Sequence, residues 1–120
     1  MEIVFESERN IRFSVGANYI YYKRTKRTLE ILGLYVAETF RRKKVATKLI
    51  YYSLRVLLDW YPSIKKVLVD DMSDHSMSLK HNVYRQFGFK GNVNIGPERV
   101  LKVNSLFYRY YLKKIWMNFI

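Results

Sequence analysis

The chain has 120 residues, 49% of them hydrophobic and 17% aromatic, with no cysteine and a formal net charge of +12. That length supports one core and not two, the scarcity of Gly and Pro argues against a linker-like chain, and the lack of cysteine excludes disulfide frameworks, thiol nucleophiles and cysteine metal sites. No apolar run approaches the roughly 18 residues of a membrane span, and Met1 to Phe5 lacks the basic start of a signal peptide, so a cytoplasmic, intracellular protein with no membrane partner is expected.

Glu2 to Phe5, Ile11 to Val15 and Ala17 to Lys23 carry apolar, β-branched or aromatic residues at alternate positions, separated by turn residues such as Asn10 and Gly16. They read as an antiparallel meander. A basic turn, Lys23 to Arg27, leads into Leu29 to Ala37, a longer apolar strand in which Gly33 marks a bulge or a close backbone approach. From Lys44 to Tyr61 the apolar spacing of three to four predicts a helix that Pro62 stops. Ile64 to Asp70 fits a buried strand parallel to the earlier one, which makes a βαβ unit. Asp74 to Gln86 reads as a second helix, with Ser73, Asp74 or Ser76 as cap, Leu79, Val83 and Phe87 on one face, and Gly88 as its end. After a turn-rich stretch from Lys90 to Glu98, Val100 to Lys113 alternates well enough for one strand or a hairpin, and Ile115 to Ile120 forms an aromatic tail. The expected fold class is α/β: a single domain over 1–120 with a mixed central sheet.

Two clusters, Lys23-Arg24-Thr25-Lys26-Arg27 and Arg41-Arg42-Lys43-Lys44, hold eight of the basic residues. The second falls at the junction of the long strand and the first helix. Unpaired N–H groups and the helix dipole there, joined by four cations, make an anion site suited to a phosphate-bearing cofactor.

The segment Tyr35-Val-Ala-Glu-Thr-Phe-Arg-Arg-Lys-Lys-Val-Ala46 resembles the acetyl-CoA signature of the GNAT-type N-acetyltransferases, with Arg41, Lys44 and Ala46 at its marked positions. Asn82-Val-Tyr-Arg-Gln-Phe-Gly-Phe89 resembles the second signature of the same family, a helix-borne tyrosine followed by a Gly-Phe pair. The resemblance runs from about Leu29 to Lys90. It implies acetyl-CoA as cofactor, bound by Arg41 of the signature, with the pyrophosphate over Arg42, Lys43, Lys44, Val45, Ala46 and Thr47 and the pantetheine arm along Leu34, Tyr35 and Val36. The family usually has glycine where this chain has Lys44. It also commonly inserts one or two helices between the first strands, where only about ten residues are available here, so the acceptor side is reduced or supplied by another subunit.

What the resemblance implies chemically is acetyl transfer from acetyl-CoA to an amine by direct attack in a ternary complex. Tyr84 is then the proton donor to the departing thiolate, its other reading being packing beside the Gly-Phe turn. Glu30 matches the register of a general base, a role that a water chain fills in many members; burial in an apolar sheet would suit it to that task, whereas a solvent-facing strand would set it beside Lys26 or Arg27. The Val36 N–H is placed to polarise the thioester carbonyl.

The acceptor, a small polyamine, an aminoglycoside, a protein lysine or an N-terminus, stays open. Asp70, Asp71, Asp74 and His75 suit a cationic acceptor or a capped, solvated loop, no metal site is expected, and His81 reads as a surface helix residue. Tyr19, Tyr21, Tyr22 and Phe107 to Tyr111 beside basic residues could stack bases, or simply be half-buried sheet aromatics. The alternative function is a catalytically inactive member of the same fold that binds nucleic acid or an acidic protein through its basic surface. An aromatic edge at Leu106 to Leu112 points to a homodimer.

Overall fold

Alternating apolar residues build β1 (Glu2–Phe5), β2 (Asn10–Val15) and β3 (Asn18–Arg24) as an antiparallel meander. The structure is a computed structural model that describes residues 1–41, 43–70, 83–91 and 96–103. Ile11 and Phe13 on β2 and Ile20 and Tyr22 on β3 all turn to one face and are fully buried there. The connection from β1 to β2 is the short turn Glu6 to Arg9, in which Ser7 Oγ accepts from the N–H groups of Arg9 and Asn10.

β4 (Thr28–Tyr35) returns antiparallel to β3 through Lys26 and Arg27, a turn braced by the hydroxyls of Thr25 and Thr28. Along this pair Tyr22 faces Ile31 but Tyr21 faces Gly33, so Leu32 is an extra residue and the strand is bulged beside Gly33, as the sequence suggests. One short turn of 3-10 helix, Glu38–Phe40, precedes α1 (Val45–Trp60), which crosses back so that β5 (Lys66–Asp70) lies parallel to β4. α2 (Val83–Phe87) follows, and β6 (Glu98–Lys102) pairs antiparallel with β5. The sheet order is β1-β2-β3-β4-β5-β6. This is the mixed α/β sheet expected.

The core lies between the sheet and α1. Leu49, Ile50, Leu54, Leu57 and Leu58 of the helix meet Leu29 and Ile31 of β4, Val67 and Val69 of β5, and the buried residues of β2 and β3. Each such side chain contributes about 1.5–3 kcal/mol by leaving water. At the far end of α1, the Tyr61 N–H bonds to the Leu57 carbonyl, and the Arg24 guanidinium sits 4.2 Å over the Tyr61 ring. A cation there suits both the aromatic face and the negative end of the helix. Among the described residues no helix is long and apolar enough to cross a membrane.

Boundaries differ from the sequence reading where backbone chemistry intervenes. β4 stops at Tyr35 rather than Ala37 because Ala37 opens the 3-10 turn. β5 begins at Lys66, although Ile64 is already buried, and β6 begins at Glu98 rather than Val100. Gly88, at a φ of 106° that favours glycine, ends α2 with Phe89 N–H bonded to the Tyr84 carbonyl. The earlier part of the second helix with its cap candidates Ser73, Asp74 and Ser76, the chain after Val103 with the proposed edge at Leu106 to Leu112, and the aromatic tail all lie outside the described residues.

Candidate active site

β4 and β5 do not stay together. Their pairing runs from Thr28 opposite Lys66 to Ile31 opposite Val69, and β4 then continues for the length of Leu32 to Tyr35 with β3 on one side and, among the described residues, no strand on the other. The ladder decides which backbone groups face this opening. The Arg24 N–H bonds to the Arg9 carbonyl, so even-numbered residues of β3 direct their backbone to β2 and odd-numbered ones, Tyr19 and Tyr21, direct theirs to Tyr35 and Gly33 on β4. Leu34 and Val36 therefore turn their N–H and C=O groups away from β3, toward the opening.

Just beyond, the chain is held at both ends of one peptide unit. The Val36 carbonyl accepts from Arg41 Nε at 3.1 Å, and the Ala37 N–H donates to Asn18 Oδ1 at 2.7 Å. Lys44 then takes the left-handed conformation, φ 60°, at the start of α1. For a residue with a Cβ this costs about 1–2 kcal/mol, which is why glycine suits the position. The first hydrogen bond within α1 is Lys48 N–H to the Lys44 carbonyl, so the N–H groups of Val45, Ala46 and Thr47 point out of the helix start. Exposed Arg41, Lys43 and Lys44 flank them.

The basic helix start differs from the sequence reading in one respect. Its cations occupy the loop before the helix rather than the first helical turn, because α1 begins at Val45 and not Lys44. Arg42 lies outside the described residues.

Tyr84 is half-buried on α2, its ring edge-on to Phe89 with centroids 5.8 Å apart. It lies close enough to Tyr22 to act on it electrostatically. Tyr22 in turn faces Ile31, the last β4 residue paired with β5, so Tyr84 belongs to the region where the two strands part. The two phenols differ sharply. Tyr22 is fully buried, 2.7 Å from Ser53 Oγ, which itself donates to the Leu49 carbonyl at 2.5 Å; Tyr22 is then the donor in the pair. Burial pushes the Tyr22 phenol far above its ordinary range, the bond with Ser53 offsets part of this, and the neighbouring Tyr84 adds to it. Tyr22 holds its proton.

Glu30 is exposed rather than buried, on the face opposite α1, and the cation directly across the ladder is Lys23 instead of Lys26 or Arg27. On that same face Tyr19 and Tyr35 stack at 5.7 Å, both exposed, while Tyr21 accepts a hydrogen bond from Asn10 Nδ2. Tyr22 faces the opposite way, into the core, so it is no stacking platform. Asp70 is exposed at the end of β5. Asp71, Asp74, His75, His81 and Phe107 to Tyr111 lie outside the described residues, and among the described residues no cluster could hold a metal ion. Sequence reasoning missed Asn18 and Ser53, whose partners are distant in the chain.

A mixed six-stranded sheet bulged at β4, with a basic loop leading into α1, defines the α/β class of the domain. Residues 11–89 match the model of the acetyltransferase (GNAT) family, and the chain belongs to that family. Among solved structures it is similar to Ard1 from Thermoplasma volcanium, with a TM-score of 0.60, 17% identity, and 82% of this chain and 72% of that one covered. It is similar also to the ribosomal-protein-S18-alanine N-acetyltransferase from Escherichia coli, with a TM-score of 0.61, 12% identity and coverages of 82% and 72%. A third is the PaiA N-acetyltransferase from Thermoplasma acidophilum in complex with coenzyme A, with a TM-score of 0.57, 17% identity and coverages of 78% and 58%. At such identities the likeness is one of fold. A sequence search among curated proteins finds no match.

Proposed function

We propose that residues 1–120 form one acetyltransferase domain that carries an acetyl group from acetyl-CoA to an amine acceptor by direct attack in a ternary complex. The observation that carries this reading is the edge of β4 after Ile31, which has no strand beside it on the β5 side among the described residues, together with the outward N–H groups of Val45, Ala46 and Thr47. Such a strip fits an extended amide-bearing arm that ends in a diphosphate: the stretch Leu34-Tyr35-Val36 offers the outward backbone groups of Leu34 and Val36 for strand-like pairing, and the helix start with Arg41, Lys43 and Lys44 offers charge and donors. Bound there, acetyl-CoA supplies the activated acetyl thioester.

The chain's own residues do the rest. The Val36 N–H stabilises charge that develops on the carbonyl oxygen, and the held Val36–Ala37 peptide keeps that donor in place. Tyr84, half-buried on α2, donates the proton that the leaving thiolate requires. The amine proton departs to Glu30 or through water on the exposed sheet face.

Calorimetry tests this directly. Acetyl-CoA is expected to bind and a random oligonucleotide of equal charge to bind only in a salt-sensitive, sequence-blind way. Mass spectrometry of an amine panel then reads acetyl transfer. Absence of any cofactor binding would overturn the proposal.

A further inference from the structure

We propose that Asn18 is a positioning residue for this reaction, holding the end of β4 so that the Val36 N–H projects into the opening between β4 and β5. The inference rests on the acetyl-CoA reading above. Asn18 stands on β3 one step past the last registered pair, Tyr19 with Tyr35, where the ladder between the two strands runs out. Beyond that point β4 needs some other restraint, and two side chains supply it at opposite ends of one planar peptide. Asn18 Oδ1 takes the Ala37 N–H at 2.7 Å, and Arg41 Nε reaches the Val36 carbonyl at 3.1 Å. A rigid plane pinned at both ends cannot rotate, so the torsion that follows Val36 is fixed while the Tyr35 pairing fixes the peptide before it.

The two pins are unequal. Arg41 is exposed and competes with water, whereas Asn18 is only 3% exposed and exchanges no partner cheaply. Asn18 is thus the dominant restraint. A donor for a developing oxyanion must sit within a few tenths of an ångström of its place, and a displacement near 1 Å costs up to about a hundredfold in rate.

The experiment compares Asn18→Leu with Asn18→Asp in the full chain, the first removing the acceptor oxygen and the second keeping one at the same reach. Asn18→Leu is expected to lower kcat by on the order of tenfold or more while acetyl-CoA affinity by calorimetry stays within about threefold, and Asn18→Asp is expected to restore most of the turnover. Infrared spectra of bound acetyl-CoA labelled with 13C at the carbonyl give a readout that loss of stability alone would not move. The stretch is expected at lower frequency than in solution for the unsubstituted protein and for Asn18→Asp, and nearer the solution value for Asn18→Leu.

Should Asn18→Leu not fold, Asn18→Ser serves, since its hydroxyl is too short to reach Ala37. Unchanged kcat and carbonyl frequency in the variants lacking the acceptor overturn the inference, as does a parallel loss of affinity and turnover. If the unsubstituted protein binds acetyl-CoA and turns it over, such a result touches Asn18 alone; if it does not bind, the reading under Proposed function falls as well.

Discussion

The first and second halves of β4 live in different surroundings. From Thr28 to Ile31 the strand is paired on both sides, and its inward residues Leu29 and Ile31 are 0% and 4% exposed beneath α1. From Leu32 to Tyr35 it is paired, among the described residues, on one side only, and Leu32 and Tyr35 are 46% and 43% exposed. A fully laddered strand has spent its backbone hydrogen bonds on its neighbours and has none to offer a ligand. The proposed site lies where the ladder between β4 and β5 ends, and the half paired on both sides keeps the other half in place.

The largest effect that separates these halves is expected at their boundary. Tyr84→Phe removes only the phenolic oxygen beside the opening, so kcat should fall by about a hundredfold while acetyl-CoA affinity and thermal stability change little. A matching loss of affinity in calorimetry would make Tyr84 a packing residue and move the boundary.

Within the open half, Lys44→Gly relieves the left-handed φ of 60° and should raise stability by about 1 kcal/mol in denaturant unfolding. It also removes a cation from the cradle, so coenzyme A affinity should fall at low salt and fall less at high salt. A rise in affinity instead would show that the Cβ of Lys44, not its charge, dominates phosphate approach.

The smallest effect belongs to the closed half. Tyr22→Phe should cost about 1 kcal/mol near neutral pH, the net worth of a buried hydroxyl pair. Because burial raises the folded-state pKa of Tyr22 above its unfolded value, its contribution is complete below the ordinary tyrosine pKa of about 10 and is lost as pH climbs beyond it. The variant should therefore unfold less steeply with pH in strong alkali, which circular dichroism can follow. An unchanged alkaline limb would place the Tyr22 hydroxyl in contact with water.

Much of this arrangement is legible in the residues themselves. Alternation at Ile11, Phe13, Ile20 and Tyr22 gives the meander, the spacing from Leu49 to Leu58 gives α1, and Gly33 marks the bulge. The Lys44 departure is legible too, since a position that usually carries glycine is one that requires positive φ. Asn18 is not. Next to Gly16 and Ala17 it looks like one more turn residue, and its hydrogen bond to Ala37 spans 19 positions, a distance that no local pattern encodes. The exposure of Glu30 was equally hidden, because Leu29 to Ala37 is a nearly unbroken apolar run and does not announce which face its single carboxylate takes. The placement of the cations before the helix rather than in it depends on one residue, Lys44, leaving the helical region.

The extra residue at Leu32 also shifts the phase of everything after it. Upstream, odd-numbered side chains of β4 point inward; downstream, Leu34 and Val36 pack toward the core and Tyr35 stands out on the other face. Deleting Leu32, a single codon, would let Gly33 alternate directly with Ile31, so Leu34, Tyr35 and Val36 would keep the faces they now occupy and the strand would lose its bulge. The extra residue therefore changes which numbers fall on the inward face, and physically it bends and twists the strand where its pairing with β5 ends.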